Sequence, residues 1–384
     1  MGRKRPTGLY KRGPYYRIDK SIRGIRINES TGTGNLEEAE RYLEKRITEV
    51  RNALYYGQTP EYTFSEAATR YLKEYMNNKS IGDDASRLKG LLPYIGNKTL
   101  NSIHDGTMQP YIEDLQDKGR KSKTVNNGLE LVRRILRKAA TKWRDNLTNK
   151  QWITSMPVIE NVNWNDGRIP YPISWVEQRF LISELTEHLI EPTLLALHTG
   201  CREQEICQLR WEWEVEVTEL GMTVFVLPSW LTKNGVERIV VLNSVAQSVI
   251  NSQRGKHPSR VFTYQKGRES EKVTTPLDHI YGSGWKAARQ RAADQYEKEM
   301  QDDAPWGYRN LRVHDLRHTF GRRLRAAGVN KETRSDLFGH KGDDITTHYS
   351  AAEIKELVDA VDKLADKNLL KIPPLTLVRA VAQN

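Results

Sequence analysis

The chain has 384 residues, long enough for two or three domains, and its 60 Lys and Arg outweigh 49 Asp and Glu for a net charge of +11. That excess favours a polyanionic partner or an anionic surface, while the most apolar stretch, Ile190 to Leu197, is too short to span a bilayer. A basic start with no apolar run after it argues against a signal peptide, and two cysteines (Cys201 and Cys207) exclude a disulfide framework and a four-cysteine zinc site, so a soluble protein of a reducing compartment is expected.

Residues 1–26 carry nine basic side chains (Arg3, Lys4, Arg5, Lys11, Arg12, Arg17, Lys20, Arg23, Arg26) against one acid, Asp19. Tyr15 to Ile18 and Ile22 to Ile27 alternate with period two around a turn-like Lys20-Ser21, which predicts short strands with one basic face. Thr31-Gly32-Thr33-Gly34-Asn35 ends that pattern, and Leu36 to Tyr55 reads as a helix. A small sheet-plus-helix module over 1–57 is the reading; a disordered basic tail is the bland alternative.

Gly57-Gln58-Thr59-Pro60 is a first linker. Ser65-Glu66 opens a helix, and further helical patterns lie at Ala85 to Leu92, Pro110 to Gln116 and Thr124 to Trp143. The last carries Val125, Leu129, Val132, Ile135, Leu136 and Ala139 on one face, and Arg133, Arg134, Arg137 and Lys138 on another. Such a basic face suits phosphates, although it is as often merely solvated. Met156 to Pro172 makes a second linker. Residues 175–213 read as helical, and 222–227 and 237–242 as strands joined through Thr232-Lys233-Asn234-Gly235, whose Asn-Gly signals a hairpin. Helices follow from Ser244, over Pro276 to Asp302, Asp315 to Ala327 and Ala352 to Lys367. The fold class is therefore mainly α with small β-sheets (α+β).

The chemistry concentrates late in the chain. Four of the nine histidines (His314, His318, His340, His348) fall between 314 and 348, a stretch that contains His314-Asp315-Leu316-Arg317 and is followed at once by Tyr349, nine residues after Gly339-His340. Upstream, Thr199-Gly200-Cys201-Arg202-Glu203-Gln204-Glu205 places an arginine after a glycine break. Two arginines grip a phosphodiester bidentately and stay charged. Histidines move protons near neutrality. A tyrosine hydroxyl, with a free pKa of about 10, becomes a nucleophile toward phosphorus when cations stabilise its phenolate. A lysine at a hairpin tip can protonate a leaving oxygen. Together these residues describe phosphoryl transfer through a covalent phosphotyrosine without a metal.

These segments resemble the tyrosine recombinase family, the lambda-type integrases. Thr199 to Trp211 is similar to the family's first arginine box, His314 to Arg317 to its His-x-x-Arg box, and Gly339-His340 through Tyr349 to its last box. Three motifs in this order, across 175–365, are specific where any one alone is weak. The resemblance implies that Tyr349 attacks the scissile phosphate and stays on the 3′ side, and that Arg202 and Arg317 hold that phosphate. It further implies that Lys233 protonates the departing 5′ oxygen, His314 assists at the nucleophile, His340 hydrogen-bonds the phosphate, and Glu205 supports Arg202 as the family's acidic neighbour. It implies a core-binding helical domain at 62–160, a mixed α/β catalytic domain at 170–365 and a tail at 366–384. The 1–57 module is similar to those that bind arm-type sites, with Arg3, Lys4, Arg5, Lys11 and Arg12 on DNA there and Arg133, Arg134 and Arg137 on core-type DNA. Also implied are double-stranded DNA as partner, a homotetramer, no cofactor, a DNA-bending protein and a directionality factor in attendance, and a place in the cytoplasm of a bacterial host on nucleoid DNA.

The competing readings differ in class. A chromosome-dimer or cassette recombinase shares the chemistry but is usually shorter. A DNA-binding regulator with the fold and no reaction requires a lost catalytic residue, and none is lost. A type IB topoisomerase has the same kit without a partner duplex, and a relaxase needs a His-x-His that is absent. His314 and His318 stand four apart, yet no third ligand is evident for zinc. Tyr281 and Tyr308 compete with Tyr349, and Lys256 and Lys266 with Lys233. Phe338-Gly339-His340-Lys341-Gly342-Asp343-Asp344 departs from the family's commoner leucine and small polar residues, and the two acids are expected to point away from the phosphate.

Overall fold

The computed structural model describes residues 6–267, 272–339 and 350–365. It divides into two compact units, Met1–Arg168 and Ile169–Asn384.

The first unit starts with an antiparallel sheet of β1 (Leu9–Arg12), β2 (Tyr15–Ile22) and β3 (Ile25–Ser30) in that order. The β2–β3 turn is at Arg23-Gly24 rather than at Lys20-Ser21: Ile22 pairs with Ile25, and Arg23 and Gly24 take φ of 46° and 88°. Two consecutive left-handed residues match the twist of a two-residue hairpin, and Gly24 accepts that conformation without a Cβ penalty. Strand β1 was hidden because Lys11 and Arg12 break any apolar alternation. Leu9, Tyr16, Ile18 and Ile27 pack on α1 (Leu36–Tyr56) through Ala39, Leu43 and Val50. Asn35 caps α1 by accepting the Glu37 and Glu38 N–H groups.

A helical cluster follows: α2 (Phe64–Glu74), α3 (Ile81–Ile95), α4 (Asp105–Asp117) and α5 (Ser122–Thr141). Thr63 and Glu66 close a capping box on α2. Helix α4 begins five residues before Pro110, because His104 caps it. The apolar face of α5 is buried as its 3.6-residue spacing requires, against Phe64, Tyr71, Leu88, Leu91 and Met108. The stretch that reads as a second linker is tied down at its start: Ile159 is buried, Asn126 exchanges hydrogen bonds with Val162, and Asp166 accepts from Ser122 N–H at 2.7 Å.

The second unit is built from α6 (Trp175–Glu184), α7 (Glu187–Thr199), α8 (Glu203–Cys207), β4 (Glu214–Val217), β5 (Met222–Leu227), β6 (Arg238–Val240), α9 (Ser244–Gln253), β7 (Thr263–Lys266), β8 (Val273–Pro276), α10 (Ser283–Met300), α11 (Trp306–Arg309), α12 (Val313–Ala326), α13 (Lys331–Leu337) and α14 (Ala351–Asp362). The expected helical run over 175–213 is broken three times: at Leu185-Thr186, at Gly200, whose φ of 61° ends α7, and after Cys207, beyond which Trp211–Trp213 is only a 3-10 turn. Val273 to Pro276 is a strand, so the helix expected from Pro276 starts seven residues later. Strands β4, β5 and β6 form one antiparallel sheet, and β7 and β8 a ribbon. Helix α12 packs along α7, α10 along α6, and α13 against α14. Ile354, Leu357, Val358 and Val361 of α14 share a core with Phe320, Leu324 and Leu337. Gly339 and Ser350, on either side of the undescribed 340–349, are thereby both placed.

Candidate active site

Gly200 does two things at once. As the left-handed cap of α7 it turns the chain, and it lies so close to α12 that an added Cβ would sit 2.4 Å from Phe320 Cδ1. The next residues then enter α8 with Arg202 at its N-cap. Arg202 N–H donates to Glu205 Oε2 at 2.8 Å and its Nη1 to Oε1 at 2.6 Å, the reach that three-residue helical spacing gives. Glu205 is 2% exposed. Burial alone would raise its carboxyl, but Arg238, with Arg202, holds it below the usual range. It therefore stays ionised at neutral pH.

Arg317 approaches from α12. Its Nη1 donates to Gly200 O at 2.5 Å and its Nη2 to Phe338 O at 2.7 Å, with the guanidinium over the Phe338 ring. Burial, followed by the charges of Arg238 and Arg202, brings this group down to about 9, so it too stays charged at pH 7. His314 stands three residues earlier on α12, its ring edge-on to His318 with centroids 5.0 Å apart. Partial burial, then His318 and Arg317, lower its pKa from the ordinary histidine value. A neutral imidazole able to accept a proton follows. Between them Asp315 is buried and caps α12, accepting Arg312 N–H at 2.8 Å. The motif's second position is thus structural.

Lys233 is exposed on a ten-residue loop, because β5 and β6 pair at Leu227 and Arg238 rather than through a tight Asn-Gly turn. Thr232 Oγ1 donates to Val236 O at 2.6 Å and closes that loop on itself. Asn234 Nδ2 donates to Gly339 O at 2.8 Å, which fastens the loop to the Gly-His box. Arg202, Glu205, His314 and Arg317 are brought together; His340 and Tyr349 lie outside the described residues. Tyr308 is buried, donating to Glu177 O at 2.7 Å.

One residue escaped the sequence reading. Arg238, 4% exposed at the start of β6, donates to Glu205 Oε2 at 2.5 Å, to Leu337 O at 2.6 Å and to Thr199 O at 3.2 Å. No spacing rule flags an arginine in a strand. The one available signal was a charged side chain at a position that β6 alternation buries. Among the described residues, no group of three or more His, Cys, Asp or Glu side chains could hold a metal ion.

The residues expected on DNA separate by their partners. Arg3, Lys4 and Arg5 lie outside the described residues. Arg12 and Lys11 point to opposite faces of the first sheet by strand alternation, with Lys11 Nζ over the Tyr16 ring. Arg133 is spent internally, donating to Ile159 O at 2.7 Å and Asn161 Oδ1 at 2.7 Å. Arg134 bonds Tyr71 and Asp84, whereas Arg137 is exposed.

Residues 182–356 match the model of the phage integrase family. The integrase of Salmonella phage P22 is 24% identical over 377 residues, 89% of this chain and 90% of that protein. A lambda integrase dimer bound to a COC′ core site superposes with a TM-score of 0.51 at 14% identity, over 90% of this chain and 95% of that one. The Tn1549 transposon integrase bound to circular-intermediate DNA gives a TM-score of 0.47 at 16% identity, over 77% of this chain and 98% of that one.

Proposed function

We propose that the chain is a tyrosine recombinase of the phage integrase family, whose model its residues 182–356 match, and that it integrates and excises a mobile element at attachment sites through a 3′-phosphotyrosine. One observation carries this reading. Arg202 is held by the buried Glu205, and Arg317, near enough for its charge to be felt by both, donates to the carbonyl of Phe338, two residues before His340. The two guanidiniums are held in place before any substrate arrives, so little reorganisation opposes phosphate binding.

In this mechanism Tyr349 Oη attacks the scissile phosphorus as its proton passes to His314, whose lowered pKa keeps it neutral and receptive. Arg202, Arg317 and His340 take the charge of the phosphorane. Lys233 protonates the departing 5′ oxygen, so one P–O bond forms as another breaks and the phosphodiester energy is kept. The free 5′ hydroxyl of a partner duplex reverses the step. No ATP or metal enters the balance.

In this reading residues 62–160 and 170–365 clamp core-type DNA, 1–57 binds arm-type DNA and 366–384 is a tail. On the first sheet Arg12, Arg17 and Arg26 share the face opposite α1 and would meet phosphates there. Two rounds of strand exchange require four protomers on DNA, in the bacterial cytoplasm, with a bending protein and a directionality factor where the attachment sites need them. The test starts with the full-length Tyr349→Phe protein, used to select a duplex from a randomised library. A nicked suicide version of that duplex is then incubated with the wild type in EDTA. An SDS-resistant adduct that Tyr349→Phe abolishes supports the assignment, and one that persists refutes it. Binding without an adduct favours a catalytically silent regulator.

A further inference from the structure

We propose that Arg238 is a positioning residue for strand cleavage, holding Glu205, and through it Arg202, in register with the segment that leads into His340 and Tyr349; this rests on the phosphotyrosine reading of the site. Two arginines staple the same pair of segments. Arg238 binds Thr199 O and Leu337 O, and Arg317 binds the next carbonyl on each side, Gly200 O and Phe338 O. Arg238 alone also reaches the carboxylate that orients Arg202. Any shift of β6 is therefore felt at both phosphate-binding arginines.

The glycine of the Gly-His box fits this arrangement. Gly339 has a φ of 59°, and a Cβ there would lie 2.6 Å from Arg238 Cδ. The box thus opens with the one residue that lets the Arg238 side chain pass. Stability alone does not account for that side chain. Its Nε is buried and makes no hydrogen bond among the described residues. Apolar residues of similar volume commonly replace buried ion pairs at no loss of stability. What an apolar replacement would lack is charge. Arg202, Arg238, Arg317 and Glu205 together leave two net positive charges, matched to a dianionic phosphorane better than to a monoanionic diester. Such a match accelerates the reaction because it is stronger in the transition state than in the ground state.

Around Glu205 the charged or titratable groups are Arg202 at the start of α8, Arg238 from β6, Arg317 from α12 and the Cys201 thiol. Removing Arg238 leaves that carboxylate buried with Arg202 as its main counter-charge. Its proton affinity then rises, and protonation loosens Arg202.

The experiment measures single-turnover adduct formation against pH and duplex affinity, using the full chain and the selected suicide duplex, for wild type, Arg238→Gln and Arg238→Lys. Arg238→Gln is expected to cleave on the order of 30-fold more slowly with affinity within about 3-fold of wild type, and the acid limb of its pH profile moves upward. Arg238→Lys keeps the charge, so it recovers part of the rate and leaves the limb in place. Three results overturn the proposal: Arg238→Gln cleaving within about 3-fold of wild type, rate and affinity falling together, or a profile that is only scaled down. Should Arg238→Gln fail to fold, Arg238→Lys decides. A lysine offers its donors from a single nitrogen and cannot reproduce the fork that spans Glu205 and both carbonyls, so wild-type cleavage by that variant overturns the proposal. If the wild type itself forms no adduct, the phosphotyrosine reading falls, and this inference with it.

Discussion

Replacing Gly200 by alanine tests whether the first arginine box is shaped by close packing as well as by chain direction. The residue has a φ of 61°, where an L side chain costs about 1–2 kcal/mol. The new Cβ would lie 2.4 Å from Phe320 Cδ1, and Phe320 is fully buried. Overpacking of that kind costs about 1–3 kcal/mol. The sum is about 2–5 kcal/mol, worth roughly 4–20 °C in the melting of the second unit. Gly221 is the control: its φ is 60°, but nothing lies within 4 Å of its added Cβ, so Gly221→Ala bears the backbone cost alone. Scanning calorimetry of both variants reads the difference. Equal losses in the two would refute the claim that Phe320 dictates Gly200. Gly200→Ala should also slow adduct formation, since Gly200 O is an acceptor of Arg317.

Glu205→Gln leaves the buried Arg238 and the part-buried Arg202 without their counter-charge. About 3–5 kcal/mol of stability should go, with cleavage lost below the melting temperature; urea titration beside the adduct assay checks both. His198 is buried beside Asn243, and burial lowers its pKa to about 4. The unfolded chain binds that proton near pH 6.5, so stability is full at pH 7 and falls as pH drops towards 4, by about 3 kcal/mol. His198→Gln should flatten that slope in urea midpoints taken at pH 7 and 4.5, and an unchanged slope would refute the assignment. Arg137→Ala should reduce the salt dependence of DNA binding by about one charge, whereas Arg133→Ala should cost about 1–3 kcal/mol of stability and leave that slope alone. Filter binding across a salt series, with unfolding curves, separates the two.

Much of the fold was legible because local physics controls it. The apolar spacing of α5, the start of α1 at Leu36 and the alternation of β2 follow from periodicity within a few residues. Charged short strands defied that reading. Leu9–Arg12 and Thr263–Lys266 have too few apolar residues to show a period, and each is held by pairing with a neighbour. The Asn-Gly dipeptide in the Lys233 loop was read as a tight turn, yet its asparagine serves Gly339, 105 residues away.

The site divides along the same line. The identities and order of Arg202, Lys233, His314, Arg317, His340 and Tyr349, the residues proposed for cleavage, are read from the sequence alone, because the proposed chemistry rests on side-chain type and spacing. What holds the described arginines is decided only in three dimensions. Thr199, Gly200, Leu337 and Phe338 contribute backbone carbonyls, which every residue carries, so no motif marks them as acceptors. Arg133 and Arg137 look alike on a helical face, yet one is consumed by Ile159 and Asn161 while the other is exposed. Arg238 becomes visible only once β6 lies beside α8 and the end of α13, since a buried guanidinium is defined by the groups that close around it.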